Sequence, residues 1–416
     1  MHPIDAVVVV PGSKSIANRA LICAALAGGT STFANLPDGD DTEAMLTCLE
    51  LLGIGVGRRE SLDGPTTIDG TGGVLAPGPI TLPTRLAGTT SRFITALAAL
   101  GPGPYHIDGA PPLRARPMEP LHDALVALGA RLQPGERWGH LPVTIGGPLR
   151  GASHVGISGD ISSQFITALM LVGPYVPGGL RIKITTRLVS RPYLEITRSV
   201  MADFGHAAVT IDDDDVISVA AGTYCSRDYT IEPDASSASY PLAAAAICGG
   251  RVEVPDLTRH AVQGDARFCD VLATMGCAAT RGETSTIVES GDRLDGVDID
   301  MVEMSDLVPT LAAAAIFATT PTRIRGVGFI RAKESDRLGD LCTGLRRLGA
   351  DATETDDGLV IEPTVLHGSR VATHHDHRLA MAFGVIGLRV ADVEVEDPDV
   401  VSKSWPGYWR VLGSLQ

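Results

Sequence analysis

Apolar and polar positions along this chain follow two rhythms, and the change from one to the other recurs about every 70–74 residues. The first occurrence sets the form. Four valines, Val7–Val10, end a stretch from Asp5 that reads as a strand, and Pro11-Gly12 stops it. Ser13, Lys14 and Ser15 then lead into a helical pattern with Ile16, Ala20 and Cys23 on its core-facing stripe and Ser15 and Arg19 together on another face. Lys14 falls where backbone N–H groups are unpaired and the helix dipole is positive, which suits an anion. A capped helix with two solvated cations accounts for the same residues.

Six segments share this start, with small or polar residues running into an Ala/Leu-rich helix. They are Ser13-Lys14-Ser15, Ala87-Gly88-Thr89-Thr90, Ile161-Ser162-Ser163-Gln164, Ala235-Ser236-Ser237, Ser305-Asp306 and His375-Asp376-His377. After each of the first five, a second helix stops at glycine: Gly53, Gly129, Gly205, Gly276 and Gly349. Strands with tight turns follow, the acidic run Asp212–Asp215 reading as a solvated turn between two of them. The sixth segment is short, and the strand ending at Val10 is expected to complete it. The expected domains are therefore residues 13–227, and residues 1–12 combined with 228–416. If equivalent helices run parallel, two facing domains would aim six positive helix ends at one cleft, each favouring an anion by about 0.3–1 kcal/mol. Two lobes joined by two crossings are expected to close on binding.

Composition narrows the classes. The chain has 416 residues, 44% of them hydrophobic, enough for more than one core. A net charge of −15 gives no support to nucleic-acid or anionic-membrane binding. Seven scattered cysteines without a CxxC pair point to reduced thiols and a cytoplasmic home. The N-terminus lacks signal-peptide character, and apolar helix candidates such as Leu311–Ala318 are too short to cross a bilayer.

The chemistry-bearing residues sit at helix starts and loops. Arg114 and Arg116 follow the Pro/Gly-rich stretch Gly101–Pro112 and suit a carboxylate or phosphate, though a surface position explains either one. Ser162, Ser163 and Gln164 offer two hydroxyls and an amide, and Ser190-Arg191-Pro192-Tyr193 follows the strand pattern Leu180–Ile184. Asp306 opens a helix, Leu307–Ala318, where N-capping is reason enough for an aspartate. Arg331–Arg337 joins the strand Thr322–Arg325 to a helix with Leu338, Leu341, Leu345 and Leu348 on one stripe, and a carboxylate among cations there suits proton transfer beside an anion. His374, His375 and His377 raise the question of a metal, but helix-face ligand spacings are missing and no cysteine is near. Lys403 is a last cation near the C-terminus.

In order along the chain, PGSKSIANRA (11–20), LAGTTSRF (86–93), RARP (114–117), ISSQF (161–165), VSRPY (189–193), DASSASY (234–240), KESDRL (333–338), HDHRLAMAF (375–383) and KSWPGYW (403–409) resemble the enolpyruvyl transferase family, and within it EPSP synthases. The resemblance implies an α/β fold of two similar globules, each of three βαβαββ-type repeats with parallel internal helices and sheets outside, and an active site between them. It implies transfer of the enolpyruvyl group of phosphoenolpyruvate to the 5-hydroxyl of shikimate 3-phosphate by addition and elimination, with no metal and no organic cofactor, in a monomer. By the same resemblance Lys14 contacts both substrates. Ser15, Arg19, Ser162, Ser163, Ser190 and Tyr193 hold shikimate 3-phosphate, and Gln164 lies between the two. Gly88, Arg116, Arg337, His377, Arg378 and Lys403 surround phosphoenolpyruvate. Asp306 accepts the 5-hydroxyl proton with Lys333 in support, and Glu334 donates a proton to the methylene carbon.

Three positions depart from the common bacterial pattern. Leu86 and Phe329 stand where asparagines are common, the second often helping to hold the shikimate ring, and Ser335 replaces a threonine. Gly88 matches glyphosate-sensitive members, so glyphosate is expected to compete with phosphoenolpyruvate. Two alternatives stand beside this reading. The sister UDP-N-acetylglucosamine enolpyruvyl transferase carries a loop cysteine near the equivalent of Arg116 and Lys-Asn where this chain has Lys14-Ser15, whereas Gly101–Pro120 holds no cysteine. A non-catalytic anion-binding homologue would have lost a proton-transfer residue, but Asp306 and Glu334 are both present.

Overall fold

The computed structural model describes residues 3–59 and 64–416. The chain divides into two compact units, Lys14–Ile231 and Met1–Ser13 with Glu232–Gln416. The second crossing falls after Ile231 rather than at 227/228. Asp228–Thr230 pairs in parallel with Gly28–Ala34, Asp228 opposite Thr32, and so belongs to the unit that begins at Lys14.

In that unit three helices, Lys14–Leu26, Gly88–Ala98 and Ser163–Val172, pack together and bury nearly all their side chains. Three four-stranded sheets accompany them, each with a parallel strand at one edge. The strand Leu180–Ile184 turns Leu180, Ile182 and Ile184 inward and Arg181 and Lys183 outward, the two-residue period of a half-buried sheet. The edge strand of a sheet comes from the preceding repeat, and Asp228–Thr230, from the third, returns to the first and closes the set.

The other unit is built alike around Ala235–Cys248, Val308–Ala315 and His377–Gly387. Its first strand is Ile4–Val7, shorter than the expected Asp5–Val10, because the ladder with Gly250–Pro255 ends at Val7 opposite Glu253. Val8 and Val10 remain buried beyond it, while Val7 and Val9 face outward. This strand joins the sheet of the fourth segment rather than that of the sixth, which among the described residues pairs two short strands, Arg370–Val371 and Glu394–Val395.

Local signals work as their chemistry requires. Gly53, Gly129, Gly205, Gly276 and Gly349 all take left-handed φ angles, between 83° and 107°, just past the ends of their helices. The helix expected over Leu307–Ala318 is instead a tight turn, Ser305–Leu307, followed by Val308–Ala315. No helix among the described residues is long and apolar enough to cross a membrane.

Candidate active site

In the Lys14–Ile231 unit the expected residues gather at the starts of the three inner helices. Lys14 donates from Nζ to Asp41 Oδ2 at 2.8 Å, a pair only 15% and 5% exposed. Asp41 lies in the first turn of the helix Asp40–Leu51, where a carboxylate also suits the dipole. Ser15 uses its carbonyl to accept from Arg19 Nη1 at 2.7 Å.

Arg19 is 2% exposed. Its Nε donates to Thr197 Oγ1 at 2.9 Å and its Nη2 to the Tyr193 carbonyl at 3.2 Å, and it lies against the rings of Phe93 and Tyr193. Burial pulls its pKa down to about 10, against the Tyr193 and Cys23 contributions. Arg19 therefore braces Ser15 and Tyr193 from behind; its four-residue spacing from Ser15 was legible, its burial was not. Ser190, the residue that precedes this turn of chain, holds a left-handed φ of 56° and accepts from Tyr193 N–H at 3.1 Å.

Ser162 caps the third inner helix by accepting from Gln164 N–H at 3.3 Å, and Ser163 is buried at its first position. Gln164 Nε2 donates to Thr89 Oγ1 at 3.1 Å, which ties this helix start to that of Gly88–Ala98. Gly88 itself is pressed upon by arginine: an added Cβ would lie 2.6 Å from Arg116 Nη1 and 3.0 Å from Arg92 Nη1. Arg114 is different, pairing with Asp108 at 2.6 Å on the surface.

In the other unit the expected residues form one ionic cluster. Arg337, 1% exposed, donates from Nε to Asp376 Oδ2 at 2.8 Å, from Nη1 to Asp306 Oδ1 at 3.0 Å and from Nη2 to Glu334 Oε2 at 2.6 Å. Arg378 Nη2 donates to Asp306 Oδ2 at 2.9 Å, and Lys333 Nζ lies 3.7 Å from Asp306 Oδ1. Three carboxylates thus face three cations. Asp306 does not cap its helix, as its position suggested; its carboxylate reaches across to Arg337 and Arg378. Burial alone would raise its pKa, but Arg378, Lys333 and Arg337 together hold it well below the usual carboxylate range. Burial opposes the charge on Arg337 too, and Asp376, Glu334 and Asp306 outweigh it.

Asp376 is fully buried and does two things, capping the helix His377–Gly387 through Arg378 N–H at 2.9 Å and gripping Arg337. His377, 2% exposed, keeps Nδ1 3.8 Å from Asp376 Oδ1, whereas His374 and His375 are exposed. Lys403 is buried at the end of the turn Pro398–Lys403. Among the described residues no group of three or more His, Cys, Asp or Glu side chains is placed to hold a metal.

Sequence reasoning missed three carboxylates that organise these groups. Asp41 and Asp376 carried a signal, since each stands at a helix start. Asp265 carried none: it is buried in the turn Gly264–Arg267 and accepts from Ser236 Oγ. Burial first, then the neighbouring Asp306 charge, push its pKa up to about 7, against the Ser236 hydrogen bond and Arg378.

The family model for EPSP synthase (3-phosphoshikimate 1-carboxyvinyltransferase) matches residues 1–412. A 3-phosphoshikimate 1-carboxyvinyltransferase of Trichormus variabilis is 44% identical over 98% of this chain and 96% of its own length. One of Methanoculleus marisnigri is 42% identical over 99% of this chain and 96% of its own. An EPSP synthase structure from Acinetobacter baumannii superposes with a TM-score of 0.81 at 26% identity, covering 99% of this chain and 96% of that one. The enolpyruvyl transferase NikO of Streptomyces tendae, at 17% identity and a TM-score of 0.80, shares the fold over 100% of this chain and 95% of its own. With cations, hydroxyls and carboxylates gathered at its helix starts and turns, and with relatives that match it over nearly its whole length, this chain belongs to the EPSP synthase family.

Proposed function

We propose that the protein transfers the enolpyruvyl group of phosphoenolpyruvate to the 5-hydroxyl of shikimate 3-phosphate, giving 5-enolpyruvylshikimate 3-phosphate and inorganic phosphate. The observation that carries the residue assignments is Asp306, a carboxylate held by Arg378, Arg337 and Lys333 with Glu334 on the same arginine. With its cations undivided Asp306 is a weak base. Anionic substrates that share Arg378, Arg337 and Lys333 raise its pKa toward that of a useful general base.

Asp306 then takes the 5-hydroxyl proton as the oxygen adds to C2 of phosphoenolpyruvate, and Glu334 protonates the methylene carbon. In the elimination the methyl group returns a proton and phosphate leaves. Lys14, Ser15, Ser162, Ser163, Ser190 and Tyr193 are assigned to shikimate 3-phosphate, with Arg19 as their brace. Gln164 serves both substrates. Arg116, Gly88, Arg337, His377, Arg378 and Lys403 are assigned to phosphoenolpyruvate. Two polyanions repel each other, and many cations in a dry site are what bring them together.

The test is phosphate release with product identified by mass. Release that requires both phosphoenolpyruvate and shikimate 3-phosphate is expected. Release from phosphoenolpyruvate alone, or with UDP-N-acetylglucosamine in place of shikimate 3-phosphate, overturns the reading.

A further inference from the structure

Lys333 has a flexible four-carbon stem, so its ammonium rests where its neighbours attract it. The turn Gly328–Ala332 is fixed at both ends, by Val327 N–H donating to the Asp357 carbonyl at 2.7 Å and Lys333 N–H donating to the Ile330 carbonyl at 3.2 Å. Arg331 ties its flank to Asp336 at 3.0 Å and Glu354 at 2.8 Å, and Ile330 is buried. This frame sets the half-buried ring of Phe329 with its centroid 5.8 Å from Lys333 Nζ. The same Nζ lies 3.7 Å from Asp306 Oδ1.

We propose that Phe329 is a positioning residue for Lys333: the negative face of its ring and the Asp306 carboxylate together hold the ammonium where the 5-hydroxyl is deprotonated. A phenyl ring offers no hydrogen bond to a sugar-like hydroxyl, so Phe329 does not hold a substrate hydroxyl itself. What it offers is a face that attracts a cation without occupying the lone pairs of Asp306. The inference rests on the reading that Lys333 and Asp306 act on shikimate 3-phosphate.

The experiment replaces Phe329 with mono-, di- and trifluorinated phenylalanine, which drain the ring face while nearly keeping its shape, and with Leu, Tyr and Asn. The kcat and KM for shikimate 3-phosphate are measured beside the thermal midpoint. Phe329→Leu is expected to lower kcat/KM about two- to tenfold and Phe329→Tyr to restore it. Across the fluorinated series log kcat/KM is expected to fall stepwise with an unchanged midpoint, which a packing role would not produce. A flat series in an active enzyme, or a Phe329→Asn enzyme equal to the original, overturns the ring's role while the functional reading stands. Absence of two-substrate turnover in the unsubstituted protein overturns both.

Discussion

Asp265→Asn tests whether the buried carboxyl that accepts from Ser236 is kept protonated by its surroundings. Asp265 faces Ser236 and Asp234 from the start of the helix Ala235–Cys248, Asp306 from the neighbouring turn, and Arg378 from the helix His377–Gly387. An unfolded aspartate ionises near 3.8, whereas burial and the Asp306 charge push the folded Asp265 up to about 7. Between those pH values the folded chain keeps a proton that the unfolded chain has lost, so this group makes stability fall as pH rises and leaves it level above about 7. At 1.36 kcal/mol per decade the fall is ~4 kcal/mol. Asparagine keeps the oxygen that accepts from Ser236 and never ionises. Its buried NH2 costs about 1–3 kcal/mol if unpaired, but that cost is the same at every pH. The quantity to read is therefore the difference in thermal midpoint between variant and original, followed from pH 4.5 to 8.5. About 3 kcal/mol of that fall lies within this pH range, so the difference should shift in the variant's favour by about 6–12 °C. Two curves that stay parallel would refute the reasoning.

Three further outcomes follow from the same contacts. Asp376→Asn removes the charge that Arg337 meets at 2.8 Å in full burial, and with Asp306 and Glu334 still on Arg337 it should lower stability by about 1–3 kcal/mol in thermal or urea unfolding. Glu334→Ala should cut kcat by two to four orders of magnitude while calorimetry still detects shikimate 3-phosphate binding, because the proposed mechanism makes it a proton donor and not a ligand for that substrate. Gly88→Ala places a methyl 2.6 Å from Arg116 Nη1; KM for phosphoenolpyruvate should rise, and steady-state inhibition by glyphosate, expected to be competitive with phosphoenolpyruvate in the original, should weaken.

Much of the repeat was legible because its marks are local. A glycine past a helix end needs only its own backbone to enter the left-handed region, so Gly53, Gly129, Gly205, Gly276 and Gly349 announced five helix ends. The strands Leu180–Ile184 and Thr322–Arg325 follow from short-range alternation in the same way. The order of motifs identified the family for a similar reason, since residue types at helix starts need no partner to be read.

Partners were another matter. Nothing near Asp306 in the chain says that it meets Arg337, 31 residues on, and Arg378, 72 residues on, instead of capping its own helix. Asp41 for Lys14, Asp376 for Arg337 and Ser236 for Asp265 are likewise pairings across separate elements. The strand Ile4–Val7 carried its apolar pattern in the sequence, but a strand edge will pair with any edge that reaches it, and only the assembled unit chose Gly250–Pro255. The sequence by itself determined which elements form and which chemical groups stand at their ends, because propensity, capping and backbone freedom act over a few residues. Tertiary structure alone decided which charges meet, which are buried and how far their proton affinities move, because those depend on distance and desolvation between residues that the chain keeps far apart.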